Sequence, residues 1–574
     1  MQTIIRLIIF FVVLFPFCSV AQSTYLNQGA KDFHVIDRLE IRLKNNTDLN
    51  FSTLKSYNRK HVIQEASFID SVRLGLKDSI TEYKQLKNKI RPFSAADEYN
   101  LQSLFMNNAE WGSLYRQSFT SKYPLLKTFY TSKSNFFELN SKDLFLAVNP
   151  VLQLQFGKES DNEKRLYLNT RGITVRGRIG GRIGFSSTIM ENQERGPSFY
   201  QEKVTTLRAV PGVGFYKLFK KDASAYDYFD GRGYLTFNAA RFIDFQFGYD
   251  KNFIGNGYRS LFLSDWGNSY LFAKINTRIW KLNYQNLFME YMPTYTKNGD
   301  SLLKRKYSAM HHLSMNVTKW LNIGLFEGVM FGRKDHFDFQ YLNPIIFYRH
   351  VEGTVGSPDN AVAGIDFKAN VMHRFQFYGQ LLMDEFILSK IKNSPTNWVN
   401  KFGFQLGGKY IDAFGVKNLD LQIEMNRVRP FTYSHYDTVN NMTHYNQPLA
   451  HPLGANFQEL IGIVRYQPFP KWNIYARAIY YYQGLDTANT NFGGNIFRPY
   501  TTRHMEDGYK VGSGNRATCL NGVLHVSYEF RQNLFFETGL QYRNFQLAVG
   551  NQRPASTTFW AGVRLNVFRR EYDF

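Results

Sequence analysis

The chain has 574 residues, of which 44% are hydrophobic, 17% aromatic and 20% charged, with a formal net charge of +22. Mean hydropathy is −0.37, which excludes a bundle of membrane helices, while the hydrophobic fraction is too high for a disordered chain. Two cysteines, Cys18 and Cys519, exclude a disulfide scaffold and a multi-cysteine metal site. A chain this aromatic yet polar on average has the composition of a sheet with one apolar and one polar face.

Residues 1–21 read as a secretory signal peptide. Arg6 supplies the positive charge, Leu7–Phe17 is an apolar run, and Ser19-Val20-Ala21 offers a small-x-small cleavage site. Pro16 and Phe17 precede Cys18 where a lipoprotein needs small residues. After residue 22 no run of about 18 apolar residues occurs, so a mature chain crossing a membrane must do so with strands.

Residues 22–135 read as a small helical domain. Ile69, Val72, Leu76, Ile80 and Tyr83 recur at helical spacing. Lys84, Lys87, Lys89 and Arg91 enrich the end of that run, and Pro92 closes it. Ser94-x-x-Asp97 fits a capping box ahead of Leu101, Leu104 and Phe105.

From residue 136 to 574 the period changes to two. Leu152, Leu154 and Phe156 alternate with Gln153 and Gln155; Phe245, Phe247 and Tyr249 with Gln246 and Gly248. Ile365 and Phe367 alternate with Asp366 and Lys368, Leu421, Ile423 and Met425 with Gln422, Glu424 and Asn426, and Phe536, Leu540 and Tyr542 with Glu537 and Gln541. Segments near ten residues long are the length of tilted strands crossing a bilayer. Every backbone group in lipid must be paired, so such a sheet has to close. The expected fold is therefore mainly β: a transmembrane antiparallel barrel of about 18 strands, with Asp366, Lys368 and Glu424 facing inward.

Tight turns are expected near Ala240-Arg241, Arg278–Lys281, Thr318–Trp320, His373-Arg374, Pro470–Asn473 and Phe530–Asn533. Several pair a basic residue with an aromatic, as in Arg241-Phe242, Lys319-Trp320, Arg374-Phe375 and Lys471-Trp472, the chemistry of a membrane-interface girdle. Long connections are expected over 191–230, 254–268, 331–358, 427–455 and 484–514. Short turns on one side and long loops on the other match outer-membrane barrels. An even strand count puts both barrel ends, and the helical domain beside the mouth, on the periplasmic side. The last strand is expected at Phe559–Val567, followed by an aromatic terminus, Phe574.

The stretch FQFGYDKNFIGNGYRSLFLSDWGNSYL (245–271) resembles the family of the capsule-assembly protein Wzi, through Gly248, Gly255, Gly257, Ser260, Leu261, Leu263 and Ser264. Residues 341–350 (YLNPIIFYRH), 356–368 (GSPDNAVAGIDFK) and 378–386 (YGQLLMDEF) are similar to members from gliding, capsule-bearing bacteria, some labelled gliding-motility protein RemB. Asn252-Phe253 stands where the enteric proteins carry an aromatic pair. The resemblance implies an outer-membrane barrel of a Gram-negative bacterium with a periplasmic helical domain. It also implies a surface lectin that holds or organises exported capsular polysaccharide. A structural accessory of the gliding or secretion apparatus and a porin-like channel are the alternatives.

The ligand-binding candidates are Tyr258, Arg259, Asp265 and Trp266, on a loop at the barrel's tip. Tyr258 and Trp266 offer flat faces for sugar rings, and Arg259 a fork of donors for an acidic group. Expected partners are outer-membrane lipid and lipopolysaccharide, exported polysaccharide and other envelope proteins. The positive charge suits anionic neighbours; export argues against nucleic acid. No catalytic residue, metal site or cofactor is expected. His311-His312 and Asp384-Glu385 are each adjacent on a strand and should point to opposite faces. Asp227-x-x-Asp230-Gly231 lacks the further ligands of a calcium loop, and no nucleophile elbow or phosphate loop occurs.

Overall fold

The computed structural model describes residues 23–574 apart from 28, 45–48, 75–80, 113–118, 161, 220–223, 295–301, 346, 357, 386 and 551. The leader 1–21 lies outside the described residues.

Among the described residues four helices come first: α1 (Asp32–Leu43), α2 (Arg59–Leu74), α3 (Thr81–Lys89) and α4 (Ala95–Asn107). The expected capping box starts α4. The Asp97 amide donates to Ser94 Oγ, and the Ser94 amide donates to Asp97 Oδ2, both at 3.0 Å. The expected run through Ile69 and Tyr83 is two helices here, α2 and α3, and Leu76 and Ile80 fall outside the described residues. Ile36, Leu39, Ile63, Ile69, Leu104 and Phe105 form the shared core of the helices.

Eighteen strands then close into one antiparallel barrel. They are β1 (Leu144–Glu159), β2 (Leu166–Ile179), β3 (Ile183–Arg195), β4 (Tyr226–Ala240), β5 (Ile243–Asp250) and β6 (Tyr270–Ile279), then β7 (Leu282–Tyr291), β8 (Lys306–Asn316), β9 (Leu321–Phe331), β10 (Asn360–Val371), β11 (Phe375–Met383) and β12 (Phe402–Tyr410). The ring continues with β13 (Leu419–Val428), β14 (Phe457–Phe469), β15 (Trp472–Leu485), β16 (Asn515–Arg531), β17 (Leu534–Leu547) and β18 (Ser556–Leu565). β18 pairs with β1, from Thr558 opposite Glu159 to Leu565 opposite Leu152, and closes the ring. All backbone groups of the wall are thereby available to a neighbour, which is what lets it stand in lipid.

The two-residue period sorts side chains as expected. Ile365 is 43% exposed on the outer face while Asp366 beside it is 1% exposed. Phe247, Leu325, Ile423 and Leu540 also face outward, and Gln246, Lys368, Glu424 and Gln541 inward. Phe242, Trp280, Trp320 and Trp472 stand exposed at the tight turns. The long connections alternate with these turns, at the opposite end of the barrel.

The helices sit in the barrel mouth at the tight-turn end, rather than beside it. Arg38 of α1 pairs with Asp420 of β13, with Asp412 in the turn before it at 2.9 Å, and with Asp97 of α4 at 3.0 Å. Lys368, inward on β10, reaches Glu40 at 2.5 Å, and Asn50 Nδ2 donates to the Lys319 carbonyl. These charges are buried, so each needs its partner.

The C-terminus departs from expectation. The last strand ends at Leu565, and the remaining residues turn back inside the barrel. Phe574 is not a strand-end aromatic: it is buried with Tyr200, Val204, Val210 and Tyr226, beneath a helix, α5 (Ser198–Leu207), of the long connection after β3. Arg543 of β17 donates to the Phe574 carbonyl oxygen at 2.7 Å.

Candidate functional site

The segment between β5 and β6 carries the four ligand-binding candidates. It does not stand at the barrel's tip but folds into the lumen. Leu261, Phe262 and Leu263 are wholly buried there, which draws a loop of this sequence inward. Phe253-Ile254 pairs with Leu54-Lys55 of the helical region. Glu424, inward on β13, accepts from the amides of Tyr258 at 2.6 Å and Arg259 at 3.0 Å. Gly257 is required by this approach, since a Cβ would lie 2.4 Å from Glu424 Oε2.

Tyr258 and Arg259 engage the chain's own tail. Arg259 Nη1 lies 2.8 Å from Asp573 Oδ2, Arg259 Nη2 reaches Glu459 at 3.5 Å, and Tyr258 donates to Asp573 at 2.5 Å. Burial pushes the Asp573 carboxyl up, but Arg259 and Arg477 outweigh it and hold it at about 2. Trp266 meets the Phe574 ring edge-on, centroids 5.9 Å apart. Lys251, at the start of the segment, is pushed down to about 7 by burial and by Arg232. All four candidates line one cavity of about 500 Å³ that runs from Asn100 and Ser103 of α4 to Trp266 and Phe574.

The wall of that cavity carries a row of inward residues. Arg465 of β14 pairs across the sheet with Tyr475 of β15, and Tyr475 with His525 of β16. The guanidiniums of Arg465, Arg477 and the tail residue Arg569 lie 5.7, 6.0 and 6.0 Å from the centre of the Tyr475 ring. No local pattern in the sequence marks this row. Its residues come from three strands and the tail, and only register brings them together.

A second constellation missed in the sequence lies on the long connections. Trp398 and Tyr500 have ring centroids 4.9 Å apart, Tyr436 stands 6.3 Å from Tyr500, and the Arg503 guanidinium covers Trp398 at 4.0 Å. Tyr436 is exposed and the other three half-buried. Below it, Lys401 Nζ stands 2.9 Å from Glu385 and 3.9 Å from Asp384. The expectation that Asp384 and Glu385 diverge across a strand is therefore corrected: the strand ends at Met383, and both carboxylates reach one lysine. Burial pushes Asp384 up to about 7, opposed by Lys401.

His311 and His312 do point to opposite faces. His312 Nε2 meets Asp366 at 2.7 Å in the lumen. His311 lies on the outer wall, where Nδ1 meets Glu327 at 3.0 Å and Nε2 meets the Tyr348 hydroxyl at 2.6 Å. The connection 332–359 folds down over this patch. Asp230 is held by Arg232, at 2.7 and 2.9 Å. Among the described residues no group of three or more His, Cys, Asp or Glu could hold a metal ion.

No family model matches the chain, and neither does any curated protein. Among solved structures it is similar to Wzi of Escherichia coli, an outer-membrane protein involved in group 1 capsule assembly and a carbohydrate-binding β-barrel. That match has a TM-score of 0.56 at 13% identity and covers 95% of this chain and all of that one. Fainter likenesses are to OprD of Pseudomonas aeruginosa (TM-score 0.39, 10% identity, 73% of this chain and 94% of that one) and OccAB4 of Acinetobacter baumannii (0.41, 10%, 74% and 98%). At these identities the likeness to Wzi establishes the fold.

Proposed function

We propose that this chain is an outer-membrane barrel, belonging with Wzi, that binds surface polysaccharide through its long connections. Its helical region (22–135) faces the periplasm, its barrel comprises 136–574, and the leader 1–21 directs export. The observation that carries this reading is the aromatic and basic patch of Trp398, Tyr436, Tyr500 and Arg503. Flat rings stack on sugar faces, Arg503 supplies donors for hydroxyls or acidic groups, and rigid scaffolds carry binding residues on their loops. That Wzi is a carbohydrate-binding barrel of similar shape over its whole length supports it. A porin-like role is disfavoured by helices in one mouth and by the tail and the 251–269 segment inside the lumen. The binding reading moves the contact surface away from Tyr258, Arg259, Asp265 and Trp266. No catalytic role is assigned to any residue.

The test is Trp398→Ala with Tyr500→Ala in cells that display the polysaccharide. Retention of surface polysaccharide should fall several-fold while the amount of assembled barrel is unchanged. Unchanged retention with normal assembly would overturn the patch as the site. Unchanged retention on deleting the whole protein would overturn the function and favour an accessory of the gliding or secretion apparatus.

A further inference from the structure

We propose that the lumen cavity between the β14–β16 wall and the C-terminal tail is an anion-binding site that takes a small ligand bearing two acidic groups, carboxylate or phosphate. The site is distinct from the patch on the long connections and does not rest on it.

Three observations carry this. The first is an imbalance of charge around one ring. Arg465, Arg477 and Arg569 surround Tyr475, and Arg477 Nη1 donates to Glu571 and the Tyr258 hydroxyl. Among the described residues Arg465 donates only to a neutral acceptor, Gln422 Oε1 at 3.0 Å. Arg569 is 3.6 Å from Glu537 and 3.7 Å from Glu571, too far for hydrogen bonds. Glu537 Oε1 is already engaged by Arg564, whose Nε and Nη2 donate at 3.0 and 2.7 Å. Two guanidiniums thus face the cavity with donors to spare, and a guanidinium fork matches a carboxylate or phosphate.

The second is His525. It is 1% exposed and lines the cavity, Glu537 Oε1 stands 3.7 Å from its Nε2, and neither ring nitrogen has a partner within hydrogen-bonding distance among the described residues. Buried polar groups ordinarily find partners. A ligand in the cavity supplies one, and an acidic ligand can accept from His525 as well as from the arginines. His525 is held flat against Trp560, with ring centroids 5.3 Å apart, and Gly539 between them in register leaves room for that indole, since a Cβ there would lie 2.5 Å from it.

The third is size. About 500 Å³ is within the range of small-ligand sites and holds a disaccharide or a diphosphate. Tyr475 offers an apolar face to whichever carries the charge.

Full-length protein in detergent, titrated calorimetrically with digalacturonate, inorganic pyrophosphate and maltose, tests this. At least one acidic ligand should bind and maltose should not. Binding by digalacturonate alone assigns a sugar acid, and by pyrophosphate alone a phosphate. Arg465→Gln and Arg569→Gln should each weaken it at least tenfold, and His525→Phe several-fold, with heat-modifiability on gels retained. If a variant does not assemble, phenylglyoxal labelling of the wild type read by mass spectrometry replaces it, and the acidic ligand should protect Arg465 and Arg569. Absence of binding by both acids, binding unchanged in the variants, or labelling unchanged by ligand would overturn the site.

Discussion

Arg259 Nη1 lies 2.8 Å from Asp573 Oδ2, joining two residues 314 apart in sequence. One belongs to a loop folded inward between β5 and β6, the other to the tail that re-enters the barrel after β18. Neither element pairs with the wall along its length, so side chains hold them. Breaking a buried ion pair by removing one partner costs about 3–5 kcal/mol. Arg259→Gln strands Asp573 and Glu459 together, whereas Asp573→Asn leaves Arg259 near Glu459. Urea unfolding of the detergent-solubilised barrel should show both variants destabilised, Arg259→Gln more so. The double variant should be less destabilised than the two single losses added. Strict additivity would mean that the contact is energetically idle.

Acid should loosen the lumen and the helices together. Asp573 is held at about 2 by Arg259 and Arg477 against the effect of burial. Asp97 is held at about 2 by Arg42 and Arg38, again against burial. A carboxyl whose folded value lies below its ordinary 3.8 binds fewer protons when folded, so stability rises with pH through that window. Each contribution, about 2 kcal/mol, is fully present above about pH 4 and is lost as pH falls toward 2. The urea midpoint should fall between pH 5 and pH 2.5 in the wild type, and the fall should be shallower in Asp97→Asn.

Local period made the barrel wall legible in the sequence, because strand faces and tight turns depend on neighbouring residues: Ile365 and Asp366 could be assigned opposite sides, and Lys471-Trp472 marked a turn. What lay beyond reach depended on the closed barrel as a container. Nothing local in NFIGNGYRSLFLS (252–264) separates a loop tip from a loop whose Leu261, Phe262 and Leu263 fill a lumen. The tail from 566 to 574 reads as a terminus, and only its partners Arg259, Arg477 and Arg543 reveal it as an internal element. The row of Arg465, Tyr475 and His525 needs the register of three strands.

Ile365→Arg should be far more damaging than Asp366→Asn. Ile365 faces outward among apolar neighbours, and a charge there costs about 2–4 kcal/mol near the bilayer midplane. Asp366 faces His312 in the lumen at 2.7 Å, and an amide can keep one hydrogen bond to the imidazole, so the loss is about 1–2 kcal/mol. Assembly in lipid vesicles followed by heat-modifiability measures both. Equal losses would reverse the assignment of faces.

The connection 332–359 should lie against lipid. It covers Glu327 and His311 on the outer wall with Tyr348, and leaves Phe339, Ile345 and Phe347 exposed. Uncovered, an imidazole and a carboxylate on that wall would be costly in hydrocarbon. Ile345→Trp should fluoresce at short wavelength and be quenched by brominated lipid tails. Emission typical of water, without quenching, would place this connection away from the bilayer.

The helices should act as the closure of the tight-turn mouth. Arg38 is the hinge of that closure, meeting Asp420, Asp412 and Asp97 at once, while Arg42 meets Asp97 at 2.9 Å and Asp412 at 3.1 Å. Removing both guanidiniums leaves the buried carboxylates of Asp97, Asp412 and Asp420 close together with His34, 2.9 Å from Asp420, beside them, and like charges in a low-dielectric site repel strongly. Arg38→Ala with Arg42→Ala should therefore release α1 and α4 from the wall while the strands, paired all round, stay closed. Two measurements follow: chymotrypsin should cut at Phe33, Tyr99 or Phe105 in the variant and spare them in the wild type, and ion conductance across planar bilayers should rise above the wild-type level. Because the tail and the 251–269 segment still occupy the lumen, the rise should remain below that of an open porin of equal strand number, and adding Arg259→Gln should raise it further. Chymotrypsin cleavage without any rise in conductance would show that these inner elements, and not the helices, seal the barrel.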